Sequence, residues 1–117
     1  MKPESDNKVL VSAQPPTAEQ LRYMLLPFCQ KHAVQTLEVF GSVAQGTEKP
    51  GSDVDLLVTF QPDAKIGAEF VNMISELEEL LDCPVDLLER ESVEAMENWI
   101  KRKSILSCTA TIYAVKV

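Results

Sequence analysis

Gly41-Ser42-Val43-Ala44-Gln45-Gly46-Thr47-Glu48-Lys49-Pro50-Gly51-Ser52-Asp53-Val54-Asp55-Leu56-Leu57-Val58 joins a turn at the end of one strand to two carboxylates at the start of another. Ahead of it, Leu37-Glu38-Val39-Phe40 alternates apolar and polar, as a half-buried strand does, and the pattern breaks at Gly41. Behind it, Leu56-Leu57-Val58-Thr59-Phe60 is an apolar run suited to a strand buried on most of its surface. A side-chain period of two then sets Asp53 and Asp55 on one side, with Cα atoms roughly 6–7 Å apart.

Those residue types at that spacing suit a charged, phosphorylated ligand. Gly41 lets the backbone approach a ligand with no side chain in the way, and Ser42-Val43-Ala44-Gln45 can open a short helix whose free N–H groups favour an anion. Two convergent carboxylates suit Mg²⁺, a hard cation that takes carboxylates, water and substrate phosphates. Such a site calls for a further anionic ligand. Asp86, in Cys83-Pro84-Val85-Asp86-Leu87-Leu88-Glu89, is the candidate, on a third strand, to bridge metal and act as general base toward an acceptor hydroxyl. Taken singly, each piece has a plainer reading. Gly41-Ser42 is an ordinary turn, Asp53 a loop acid, Asp55 an edge charge, and Asp86 a carboxylate bonded to nearby backbone.

In conjunction, a Gly-Ser turn, ten intervening residues, Asp53-x-Asp55 and a later Asp86 resemble the minimal nucleotidyltransferases of the DNA polymerase beta-like superfamily. The resemblance covers residues 18 to 113 or so and implies an α+β fold, a small mixed β-sheet with helices packed against it. It implies ATP as substrate, Mg²⁺ as cofactor, Gly41 and Ser42 on the triphosphate, and Asp53, Asp55 and Asp86 as catalytic metal ligands. It also implies a role: many short members are antitoxins that place AMP on a tyrosine of a HEPN-domain ribonuclease toxin. Val43, Ala44 and Gln45 stand where many members carry arginines. That departure keeps a second reading open, a weakly catalytic binding module that neutralises its partner by masking it. Lys49, in the same loop, is a candidate to compensate for that missing positive charge.

With 117 residues, 45% of them hydrophobic, the chain can bury one modest core. The reading is an N-terminal arm over residues 1–16 and a single domain over 17–117. An acceptor is then held by a partner chain, a dimer mate or the surface around the site. A net charge of −7 argues against a long nucleic acid, whose phosphates need clustered Lys and Arg, and favours a basic protein partner. Lys101-Arg102-Lys103 is the one basic cluster, read as a solvated helix face, with an RNA or acidic-partner contact as the alternative. Cys29, Cys83 and Cys108 are too widely spaced for a zinc site or disulfide framework and read as buried, reduced thiols. A polar start and no long apolar run point to a cytoplasmic protein without a membrane span.

Along the chain, Val9-Leu10-Val11 reads as a stray strand or an arm. Thr17 and Gln20 suit a capping box for a first helix with Leu21, Leu25 and Phe28 on one stripe, kinked or broken near Phe28 by Pro27. His32 ends that helix and is left out of the site. Strands are expected near 36–40, 54–60 and 85–88, and an edge strand near 109–115 with Tyr113 structural. Phe70, Ile74, Leu77 and Leu81, widened by Met73 and Leu80, mark the core stripe of a second helix, whose Glu76, Glu78, Glu79 and Asp82 read as a solvated face. Ser92 is expected to cap a third helix with Val93, Met96 and Ile100 inward, and Trp99 to pack at the core edge or to anchor a partner.

Overall fold

The computed structural model describes residues 15–47 and 53–115. Val9-Leu10-Val11 and Lys49 lie outside them. The elements run α1 (Ala18–Met24), α2 (Leu26–Lys31), β1 (Val34–Phe40), α3 (Gly41–Gln45), β2 (Val54–Phe60), α4 (Glu69–Leu81), β3 (Val85–Glu89), α5 (Arg90–Glu94), α6 (Trp99–Leu106) and β4 (Thr109–Ala114). The strands form one mixed sheet in the order β3-β2-β1-β4, with β1 antiparallel to β2 and β4, and β2 parallel to β3. The expected α+β class is what forms.

Alternation along the strands splits the sheet into two faces. Val34, Leu37 and Val39 of β1, Val54, Leu56 and Val58 of β2, and Val85 and Leu87 of β3 turn one way, into the main core. Leu21, Leu25 and Phe28 of the first helical segment, with Met73, Leu77 and Leu81 of α4, close over them. On the other face Phe40 and Leu57 meet Val93 and Ile105 in a smaller cluster beneath α5 and α6. That second face also carries the acids, because Phe40 pairs with Asp55 and Asp55 with Asp86 across the ladders.

The first helix begins as its sequence dictates. Thr17 Oγ1 accepts from Gln20 N–H at 3.2 Å and Gln20 Oε1 accepts from Thr17 N–H at 3.0 Å, a complete capping box. Thr17→Ala is expected to lower stability by about 1 kcal/mol, read as a fall in the urea midpoint with an unchanged slope. The break falls at Leu25, three residues before the expected place, because Pro27 sits in the first turn of α2, where its missing N–H is harmless. His32 caps the C-terminus of α2, and its ring pairs with Glu76 at 2.9 Å while Lys31 reaches the same carboxylate at 2.8 Å.

Several expectations need correction. Leu80 is 44% exposed and does not widen the α4 stripe. Glu76 and Glu78 are not merely solvated: Glu76 ties α2 to α4, and its carboxyl is held below the usual range first by the Lys31 hydrogen bond. Glu78 Oε2 accepts from Val85 N–H at 3.2 Å. Ser92 does not cap a helix but lies within α5. The third helix is two helices, since Asn98 Oδ1 takes Lys101 N–H at 3.1 Å and starts α6 anew. The restart turns Ile100 out to 64% exposure and brings Ile105 in. Trp99, at the first turn of α6, is 60% exposed rather than packed at the core edge. Within the basic cluster, Lys101 and Lys103 are solvated while Arg102 bonds Met96 O at 2.6 Å. Only Cys29 among the thiols is fully buried, and burial pushes it up to about 12; Cys83 and Cys108 are half-buried and all are free.

Candidate active site

β1 ends at Phe40 in extended conformation, and the chain reverses into α3 through Gly41 at φ +74°. A left-handed backbone there favours glycine, and a second constraint coincides with it. A Cβ on Gly41 would overlap Asp55 Oδ2, so the Asp55 carboxylate lies directly against the Gly41 backbone. The turn is then closed from behind: Thr47 N–H donates to Ser42 O at 2.9 Å and Gly46 N–H to Val43 O at 3.2 Å, with Gly46 ending α3 at φ +73°. Val43 anchors this short helix in the main core, leaving Gly41 and Ser42 half-buried at the rim.

Asp55 and Asp86 are direct partners in the parallel β2–β3 ladder. Paired residues share a face, so the two carboxylates project side by side from the end of the sheet where β1 hands over to the Gly41 turn. Asp55 is half-buried and Asp86 exposed; Asp53, one residue before β2, is exposed as well. Burial first, then the charges of Asp86 and Asp53, raise the Asp55 carboxyl above the ordinary aspartate range. Carboxylates crowded in this way favour a cation, whose charge would relieve their mutual repulsion.

The structure therefore brings Gly41, Asp55 and Asp86 together, with Ser42 beside the first and Asp53 within electrostatic reach of the second. Among the described residues, no group of three or more His, Cys, Asp or Glu side chains is close enough to hold a metal ion unaided. The donor set still fits Mg²⁺, which is commonly held by one or two carboxylates with water and substrate phosphates supplying the rest. Sequence reasoning passed over Glu38, Arg90 and Glu94. The signal was there: an acid between Leu37 and Val39 in a buried strand needs a partner, and an arginine follows strand β3.

A turn that exposes backbone at a glycine, two carboxylates on adjoining strands and a four-stranded mixed sheet define a small nucleotidyltransferase-type domain. Residues 21–111 match the nucleotidyltransferase domain family, and the chain belongs to it. It is 34% identical over 77 residues to a Methanocaldococcus jannaschii protein named "Putative protein adenylyltransferase MJ0435", covering 66% of this chain and 82% of that one. The fold is shared with a toxin–antitoxin crystal structure containing AMP-PNP, at TM-score 0.63 and 18% identity over 81% of this chain and 74% of that one. It is shared too with the MNT antitoxin complex of a tri-AMPylated Shewanella oneidensis HEPN toxin, at TM-score 0.58 and 14% identity over 85% and 74% of the chains. Among the described residues no helix is long and apolar enough to cross a membrane.

Proposed function

We propose that this nucleotidyltransferase moves AMP from ATP to a hydroxyl of a partner protein, a HEPN-domain toxin, and so acts as its antitoxin. The observation that carries the reading is Asp55 pressed against the Gly41 backbone with Asp86 in register beside it. Support for the protein acceptor and the adenylyl group comes from the relative named protein adenylyltransferase, and for the toxin from the AMPylated HEPN complex that shares the fold.

In this mechanism the Gly41–Ser42 backbone receives the triphosphate, and Asp55 and Asp86, with Asp53 alongside, would hold Mg²⁺. Bound there, the ion would supply positive charge to offset that of the phosphates and of the leaving pyrophosphate. Asp86, the exposed member, faces the arriving acceptor and takes the proton of its hydroxyl. The acceptor oxygen bonds the α-phosphorus, the bond from that phosphorus to the bridging oxygen breaks, and pyrophosphate leaves. Positioning and charge neutralisation supply most of the rate, as in other phosphoryl transfers. The acceptor is held by the partner.

One observation favours a second reading, in which the chain masks its partner without turnover. All three arginines are engaged away from the Gly41 turn: Arg22 with Thr111 O and Glu19, Arg90 with Glu38 and Glu94, Arg102 with Met96 O. The experiment that separates the readings mixes this protein, a HEPN-domain ribonuclease, Mg²⁺ and α-labelled ATP. It follows both label on the ribonuclease and RNA cleavage. Label on a tyrosine hydroxyl with loss of cleavage is expected; loss of cleavage with no label, with or without ATP, would replace transfer by masking.

A further inference from the structure

β3 is a five-residue edge strand, hydrogen-bonded in the sheet only to β2, and it carries Asp86 directly against the like charge of Asp55. Repulsion between those carboxylates works to part the two strands. Each end of β3 is nonetheless tied down by a contact outside the ladder. At its start, Val85 N–H donates to Glu78 Oε2 of α4. Just past its end, Arg90 Nη1 donates to both carboxylate oxygens of Glu38, at 2.8 Å each, and Arg90 Nε donates to Glu94 at 2.9 Å.

Glu38 is on β1, so the guanidinium reaches across β2 to arrive there. The register makes this explicit: Glu38 pairs with Leu57, and Leu57 with Leu88, two residues before Arg90. Glu38, Leu57 and Leu88 lie one side-chain step along the same face from Phe40, Asp55 and Asp86. The bridge thus spans the three strands that carry the turn and the two acids. Glu38 is only 8% exposed, and a carboxylate so buried is retained only when paired. Arg90 Nη1 alone meets both Glu38 oxygens while Nε of the same rigid plane holds Glu94, so the guanidinium fixes the two carboxylates at a set angle to each other.

We propose that Arg90 and Glu38 are a positioning pair that sets the spacing of Asp86 against Asp55, and so the affinity of the site for its divalent cation. The inference rests on the nucleotidyl-transfer reading of those acids. Neither residue touches substrate; both act through β3. Releasing the tie lets the edge strand give way to the Asp55–Asp86 repulsion, and the two carboxylates no longer meet one ion.

The probe is Mn²⁺ alone, titrated by electron paramagnetic resonance into the whole chain without nucleotide, alongside hydrogen exchange of residues 85–89. Arg90→Ala strands a buried charge on Glu38 and can unfold the protein, so the informative variant is the double substitution Glu38→Leu with Arg90→Met. It removes the directional tie and leaves an apolar pair in its place. Expected are Mn²⁺ binding weakened by about tenfold, at the low end of what supporting residues contribute around metal sites, and faster exchange in β3 with β1 unchanged. Arg90→Lys, keeping the charge but not the planar fork that joins Glu38 to Glu94, should fall between the parent and the double variant. Parent-like Mn²⁺ affinity in a folded double variant overturns the pair's role while leaving the site intact. A parent that binds no Mn²⁺ overturns the metal reading itself and this inference with it.

Discussion

Asp55→Asn is expected to reduce adenylyl transfer at least about a hundredfold and, in the same molecule, to raise the thermal midpoint measured without metal at neutral pH. The first effect follows from removing the cation ligand proposed above, whose loss must exceed the ten- to hundredfold losses seen when only supporting groups around a metal are changed. The second follows from linkage. Burial, Asp86 and Asp53 raise the folded-state pKa of Asp55 above its unfolded value, so the folded protein binds that proton more tightly than the unfolded chain. Its stabilising contribution is complete below the unfolded pKa and is lost as pH rises through the raised one. At neutral pH the ionised carboxylate therefore burdens the fold, and a neutral isostere lifts that burden. The midpoint difference between variant and parent should shrink as pH falls through the raised pKa and be gone below the ordinary aspartate range. A variant less stable than the parent at neutral pH, or a gain that does not depend on pH, would show that Asp55 is held by interactions other than these. Addition of Mg²⁺ should stabilise the parent and not the variant, since only a species that binds the folded state shifts its stability.

How far the sequence reveals this arrangement depends on which interactions are local. The Thr17–Gln20 cap, the strand from Val54 to Phe60 and the Gly41 turn depend on residues within a few positions of one another, and periodicity and turn chemistry find them. Asp86 was legible as a companion of Asp55 because a two-carboxylate site calls for a further acid, whereas their direct pairing across β2 and β3 is set by the sheet register. What escaped was decided by partners far along the chain. Glu38 looked like the solvent side of a half-buried strand until α5 brought Arg90 over it. Glu76 and Glu78 looked like a solvated face until Lys31, His32 and Val85 came to meet them. Val93, Met96 and Ile100 read as the inward face of one helix capped by Ser92; the Asn98 cap competed with that continuation and won, leaving Ile100 exposed and Ile105 buried.

Gly41→Ala is expected to abolish most transfer, and a second glycine in the same turn isolates why. Gly41 and Gly46 sit at nearly equal positive angles, +74° and +73°. Placing alanine at either one incurs the left-handed penalty of roughly 1–2 kcal/mol. Their surroundings differ: a Cβ on Gly46 meets nothing within 4 Å, whereas one on Gly41 overlaps the Asp55 carboxylate. Gly46→Ala should consequently lose stability but keep the transfer rate of its folded fraction. Gly41→Ala should lose similar stability and, in addition, drive the Asp55 side chain from its place beside the turn, lowering kcat and raising the Mg²⁺ concentration needed for half activity. Denaturant midpoints and Mg²⁺ titrations of both variants check the comparison. Equal losses of transfer in the two would mean that strain in the turn, and not the contact with Asp55, governs the site. Loss confined to Gly41→Ala would mean that the glycine is required at this position because a carboxylate already occupies the space where any side chain would begin.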